Sequence, residues 1–359
     1  MPKSLLVFLF SVASFASSAT SLFPDGPGPY GVGLRVVPLH DQSRVYASKI
    51  DPVSGAAAVG DRSRPIQALV WYPTAKKAGD GIRYRDYLRT AATEEQFHRS
   101  DAEVDRSTTA ALTDNYPDVD QAALAQTMLA RRDAPPAAGT FPVVVYAPGS
   151  SASAHDNADL CEYLASHGYL VIASASIGLD TRSMNLDLDG AEAQARDISF
   201  LVGYASTLPQ ADGAHVAAMG YSFGGLANVL AAARDDRISA LVSLDGSVRY
   251  FPAIVQKAGY ALPERLALPM LYLGGKPYTA ELMNRVKQVP SFSLMNEMRY
   301  SDLYNVTMYT MEHAAFQSES LRLAPEQRFG EYTREEVQLA VWYRTTWAGM
   351  RIPLIWFIW

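Results

Sequence analysis

From Pro142 onward, short runs of almost purely apolar residues alternate with longer stretches at helical spacing, and this alternation restricts the chain more than any other feature. PVVVYA (142–147), YLVIAS (169–174), AHVAAM (214–219), ISALVSL (238–244), PMLYL (269–273) and a sixth segment at 304–310 read as strands. Helices over 156–167, 190–207 and 223–233 separate the first four, and a further helix is expected from about Arg334. A strand with one face in water alternates apolar and polar residues. These runs do not, so both faces must be covered. That predicts an α/β fold with a mostly parallel central sheet and helices on both sides.

The part ahead of this core has a different texture. Residues 30–37 and 43–50 alternate weakly and suggest two early strands, and IQALVWY (66–72) suggests a stronger one ended by Pro73. The stretch 83–132 is polar, Ala-rich and charged, with apolar residues at helical spacing; two or three surface helices are expected there, followed by a linker at 133–140. The expected organisation is one domain over 20–359 with a helical insert at about 83–132. Of 359 residues, 48% are hydrophobic, which excludes a disordered chain. The single cysteine excludes an internal disulfide framework or a cysteine-rich cluster, and Cys161 is expected to pack in the core of a helix. With 31 Lys and Arg against 37 Asp and Glu, the net charge of -6 offers no basic footprint for nucleic acid.

The first 19 residues have one early Lys3, an apolar run from Leu5 to Phe15 and small residues up to Ala19. That is the shape of a signal peptide, so a secreted or periplasmic location is expected. The run is too short to cross a bilayer, as is the apolar end IPLIWFIW from Ile352 to Trp359, whose role the sequence does not reveal.

Function is concentrated at Gly220-Tyr221-Ser222-Phe223-Gly224-Gly225. An apolar strand precedes this segment and a small-residue helix follows it, the context in which G-x-S-x-G forms a sharp elbow that lifts a serine oxygen clear of the backbone. Gly220 and Gly224 remove side chains that would crowd the turn. Ser222 is then the candidate nucleophile. The N–H of Phe223, at the start of a helix whose positive dipole end faces the site, is one candidate donor to a developing oxyanion. The loop after the first core strand, Pro148-Gly149-Ser150-Ser151, offers Ser150 as the second.

Such a serine needs a base and an acid. Of the six histidines, His40 lies in the early strand region, His98 in the insert, His155 and His167 flank the first core helix, and His215 starts the strand leading to the serine. Only His313 follows the last strand, on the carboxyl side and after the serine in chain order. Three acids compete. Asp245 ends the strand 238–244 and is rigidly placed to hold an imidazole tautomer; Glu281 sits eight residues past Leu273; Asp302 precedes the sixth strand. Asp245 is preferred, with Glu281 as the alternative. Tyr221, Phe251 and Tyr278 are candidates to line a substrate pocket.

VVVYAPGSS (143–151) with EYLASHGYLVIAS (162–174), GYSFGG (220–225) with ALVSLDG (240–246), and MEHAAFQS (311–318) together resemble the α/β-hydrolase superfamily. Within it they are most similar to the platelet-activating-factor acetylhydrolase and dienelactone-hydrolase-like group. The resemblance implies an acid after the strand that follows the nucleophile helix, matching Asp245, and a histidine matching His313 with Phe316 as a nearby aromatic. It covers roughly 140–318. Pro148 stands where those relatives often have His, and the loop 174–185, with Asp180 and Arg182, departs from theirs. The expected activity is hydrolysis of a small-molecule or lipid ester, of short to medium chain and extending to short-acyl phospholipids, with no metal or organic cofactor. A lactone, polyester or amide hydrolase, or a catalytically silent binding protein, is the alternative. The oligomeric state is not legible.

Overall fold

The protein is described here from a computed structural model covering residues 22–23, 26–46, 61–75, 80–277, 279, 281, 293–324 and 333. The expected signal segment, the helix from about Arg334 and the apolar end 352–359 lie outside the described residues, as does Tyr278.

The apolar runs become strands of one sheet with the order β3-β1-β2-β5-β4-β6-β7-β8-β9. These are β1 Gly31–Val45, β2 Ser63–Thr74, β3 Ala130–Arg132, β4 Phe141–Ala147, β5 Leu170–Ala173, β6 Ala211–Tyr221, β7 Ala240–Leu244, β8 Met270–Gly274 and β9 Leu303–Thr307. β2 runs antiparallel to both β1 and β5, and the pairs from β5 through β9 are parallel. Along β4 alternate residues enter opposite cores: Val143 and Val145 join one, Val144 and Tyr146 the other. Both faces are thus dry, which is why the strand shows no polar alternation. Helix α4, Ala158–Ser166, covers one face, and α5, Leu188–Ala205, with α6, Phe223–Ala232, covers the other. Cys161 is fully buried in α4, and burial pushes its thiol well above the ordinary range.

Three expectations about the N-terminal half change. The segment 30–37 and the described part of 43–50 are not separate strands; residues 31–45 are one long β1, paired with β2 from Gly31–Thr74 to Val45–Ser63 and irregular between Asp41 and Val45, and 47–50 lie outside the described residues. The polar stretch in its middle looked like a break because the outer half of β1 is mostly half-buried or exposed. Pro73 does not end β2; it and Pro65 lie inside the strand, beyond the Leu69–Trp71 stretch that pairs with β5. The insert forms three helices, α1 Tyr84–Ala91, α2 Asp101–Asn115 and α3 Gln121–Ala125, and then the short β3, which the sequence did not suggest. A Ser100–Glu103 capping box starts α2.

These helices are not simply a surface layer. Tyr84 and Tyr87 of α1 are fully buried, and a polar chain locks the insert to the core. Trp71 Nε1 donates to Tyr87 Oη at 2.7 Å, Tyr87 Oη donates to Glu162 Oε1 at 2.7 Å, and Leu129 and Ala130 N–H donate to the same carboxyl at 2.8 and 3.0 Å. One side chain of α4 therefore holds β2, α1 and the entry to β3 together. Burial pushes the Glu162 carboxyl up to about 7 from its ordinary 4.5. Because the folded pKa lies above the unfolded one, the unfolded chain releases this proton first, and the fold loses stability as pH rises from about 4.5 through 7. The loss is about 3 kcal/mol at roughly 1.4 kcal/mol per pKa unit. Glu162→Gln cannot titrate, so urea unfolding at a series of pH values should show the difference between wild type and variant shrinking by about that amount from pH 4 to 8. Parallel curves would refute the assignment.

No helix among the described residues is long and apolar enough to cross a membrane.

Candidate active site

The chain visits β4, then β5 on one side of it, then β6 on the other. Loops leaving the carboxyl ends of β4 and β6 consequently diverge and leave a crevice, where open α/β sheets bind ligands. Ser222 sits at that point, between β6 and α6, with φ 53° and ψ -120°. This is costly backbone for a residue with a side chain and is held by its surroundings. Ser222 N–H donates to Leu244 O at 3.1 Å, and Ser222 O accepts from Ser247 N–H at 2.8 Å and Gly225 N–H at 3.1 Å. The turn needs both glycines. A Cβ on Gly220 would lie 2.5 Å from the Gly224 carbonyl carbon, and one on Gly224 would lie 2.2 Å from Ala147 O.

Three chain-distant residues meet over this elbow. Ser222 Oγ is 3.0 Å from His313 Nε2, and His313 Nδ1 is 2.6 Å from Asp245 Oδ2. Asp245 directly follows β7, has φ 43° and is 2% exposed. Its other oxygen accepts from Gly275 N–H at 2.9 Å, just after β8. Both carboxylate oxygens are thus committed, one to the backbone and one to the imidazole. Glu281 is exposed, and Asp302 is exposed before β9; neither forms an ion pair with His313. His313 begins a single 3₁₀ turn, His313–Phe316, after β9. Tyr221 packs on it: the rings are stacked with centroids 4.8 Å apart, and Tyr221 Oη donates to His313 O at 3.2 Å.

The loop after β4 runs against the serine. A Cβ on Gly149 would stand 3.5 Å from Ser222 Cβ and 3.1 Å from the Tyr221 ring. Among the described residues, neither Ser150 N–H nor Phe223 N–H donates to a protein acceptor. The loop is held from behind. Glu94 of the insert accepts from Ala154 N–H at 2.8 Å and pairs with Arg182 at 2.5 Å; Arg182 also donates to Ser153 Oγ at 2.9 Å. Ser151 Oγ accepts from Met184 N–H at 2.8 Å. Asp156 Oδ2 accepts from Gly149 N–H at 3.4 Å and Gln317 Nε2 at 3.1 Å, while burial pushes its carboxyl up to about 7.

His155-Asp156-Asn157 also grips the histidine segment. Asn157 Nδ2 donates to Phe316 O at 2.9 Å and to Tyr146 Oη at 2.8 Å, and Asn157 Oδ1 accepts from Ser318 N–H at 2.8 Å. His155 Nε2 lies 3.1 Å from Glu319 Oε2; burial works against the charged ring, but the hydrogen bond and charge of Glu319 outweigh it and raise its pKa. Arg322 forms a buried pair with Asp159 of α4. These supports were not foreseen. The run of polar residues at 155–157 and again at 317–320 was visible, but nothing in one dimension pairs them.

The remaining candidates are scattered. His40 lies 3.8 Å from Asp61, His167 Nδ1 is 2.8 Å from Tyr163 O, and His215 Nδ1 is 2.7 Å from Asp212 at the amino end of β6. Phe251 is half-buried against the core on the α5–α6 face.

A family model described as Chlorophyllase matches residues 95–249, fewer than half of the chain; the match includes Ser222 and Asp245 and ends before His313. No curated protein matches. Among solved structures, the chain is similar to a ferulic acid esterase from Streptomyces cinnamoneus, with TM-score 0.60 and 19% identity over 92% of this chain and 94% of that one. Neither comparison carries the narrower resemblance to platelet-activating-factor acetylhydrolases or dienelactone hydrolases. What the sheet order, the elbow and the likeness at this identity establish is that the chain has the α/β-hydrolase fold, an architecture consistent with esterase-type hydrolysis.

Proposed function

We propose that this chain is a serine hydrolase acting on carboxylic esters, with Ser222 as nucleophile, His313 as general base and acid, and Asp245 as the group that orients the imidazole. The observation that carries the reading is the unbroken line from Ser222 Oγ through His313 to Asp245, with separations of 3.0 and 2.6 Å.

The mechanism follows from the donors and acceptors. Asp245 accepts from Nδ1–H of His313, so Nε2 is left as the acceptor that takes the Ser222 proton. The serine oxygen attacks the ester carbonyl. Phe223 N–H and Ser150 N–H, both without protein acceptors among the described residues, stabilise the resulting oxyanion. His313 then protonates the departing alcohol oxygen and activates the water that releases the acid. Asp245 balances the imidazolium throughout. Tyr221 holds the ring in place from the side, and its burial at 5% exposure favours this over a role as pocket wall.

The ferulic acid esterase likeness and the earlier acetylhydrolase resemblance both favour an ester over an amide. The leader-like first 19 residues favour export to the periplasm or medium. A panel of p-nitrophenyl esters of increasing acyl length, run beside lactones and short-acyl phospholipids, tests the substrate class. Turnover is expected to be highest on esters of short to medium chain. Hydrolysis of lactones alone would overturn the ester reading, and turnover confined to long acyl chains would overturn the chain-length claim.

A further inference from the structure

A cavity of about 940 Å³ does not lie over Ser222 but beside it, between α1 and α2 of the insert on one side and the loop after β4 and the segment 314–324 on the other. Its volume is that of a site for a small organic molecule. Two lining residues connect it to the proposed chemistry: Ser151 follows Ser150 in the chain, and Ala314 follows His313. We infer that this cavity is the subsite for the alcohol part of the ester, and that it is built for a neutral, hydroxyl-rich alcohol such as a sugar or other polyol. The inference rests on the serine-hydrolase reading and adds the substrate class to it.

The side follows from proton transfer. The leaving oxygen takes its proton from His313, so the alcohol must lie next to that ring, and this cavity is an open volume that Ala314 borders. The chemistry follows from the lining. Ala91, Ala92 and Ala152 are half-buried and Ala111 is exposed, and together they keep part of the wall free of bulky side chains, while Leu88 and Leu112 lie buried behind it. Beside them stand polar groups able to meet hydroxyls: the exposed Gln96 amide, the Asn115 Oδ1, and His155 Nδ1 and Asp156 Oδ1, which are buried and have no protein partner among the described residues; the Gln317 amide is already committed to Asp156 and Ser320, and Tyr116 adds a half-buried ring. Charge does not favour an anion. Arg99, Arg182 and His155 are countered by Glu95, Asp156 and Glu319 in the same wall; Arg182 is further committed to Glu94, and His155 to Glu319. A long alkyl alcohol would have to desolvate these groups without replacing their hydrogen bonds, a loss that the little apolar surface left accessible by the alanines and the buried Leu88 and Leu112 does not offset.

The test holds the acyl group constant and varies the alcohol: ethyl butanoate, hexyl butanoate and a monobutanoyl glucose, with the full chain as enzyme. Wild type should show kcat/KM for the glucose ester about tenfold or more above both alkyl esters. Two substitutions at exposed positions of the wall avoid a folding failure. Ala111→Trp should fill the cavity and lower the ratio of kcat/KM for glucose ester over ethyl ester about tenfold, and Gln96→Leu should lower that ratio about threefold, chiefly through KM. Equal turnover of the three esters, preference for the hexyl ester, or a ratio unmoved by Ala111→Trp would overturn the subsite while leaving the hydrolase reading standing. Failure to hydrolyse any of the three, or any p-nitrophenyl ester, would overturn both.

Discussion

Ser222→Ala should fold as the wild type does and lose about five orders of magnitude or more in kcat on any ester the wild type turns over. The loss is large because Ser222 Oγ is the atom that forms the acyl bond, and His313 Nε2 at 3.0 Å has no other nucleophile to activate. The fold should be indifferent because, among the described residues, the side chain makes no hydrogen bond but the one to His313, and alanine at φ 53° meets the same backbone strain as serine. Thermal unfolding of the two proteins should therefore agree within roughly 1 kcal/mol. A fluorophosphonate probe gives the matching covalent readout: it should label wild type and not the variant. A folded wild type that resists the probe, or a variant that keeps more than about one part in a hundred of the turnover, would remove Ser222 from the role of nucleophile.

Asp245→Asn should lower kcat by about four orders of magnitude with little change in KM. The backbone decides this in advance. Gly275 N–H donates to Asp245 Oδ1 at 2.9 Å, so an amide in that place must turn its carbonyl oxygen toward Gly275 and its NH2 toward His313. Nδ1 of the imidazole then becomes an acceptor, the ring proton moves to Nε2, and Nε2 can no longer take the proton of Ser222. Glu281→Gln, at an exposed position with no ion pair to the imidazole, should stay within about twofold of wild type. If instead Glu281→Gln collapses kcat and Asp245→Asn keeps more than a tenth of it, the acid is Glu281 and the alternative raised by the sequence is the right one.

Much of the architecture was legible in one dimension because burial on both faces writes itself as uninterrupted apolar runs. β4, β5, β7 and β8 fall within a residue or two of the segments expected for them, and α6 begins at Phe223 as the elbow requires. What misled was texture without context. The polar middle of β1 resembled a break, although its pairing with β2 continues past it. The insert resembled a surface layer because its sequence is polar overall. Tyr84 and Tyr87, the two residues that sink it into the core, are indistinguishable there from exposed tyrosines until Glu162, some 75 residues away, comes within reach of Tyr87.

By itself the sequence determined the layered sheet, the elbow and the short list of residues able to do acyl chemistry. Those are consequences of local pattern: apolar period, glycine at a crowded turn, and position relative to strand ends. Only the tertiary structure decided which acid faces His313, because that depends on β7 lying between β6 and β8, a neighbourhood with no trace in the local sequence. The same holds for the supports. Asn157 reaches Phe316 and Ser318 across about 160 residues, and Glu94 of the insert braces the loop beside Ser222 through Ala154 and Arg182. A buried polar side chain must find a partner or lose the free energy of its desolvation, but which partner it finds is set by the packing of elements and not by the order of residues.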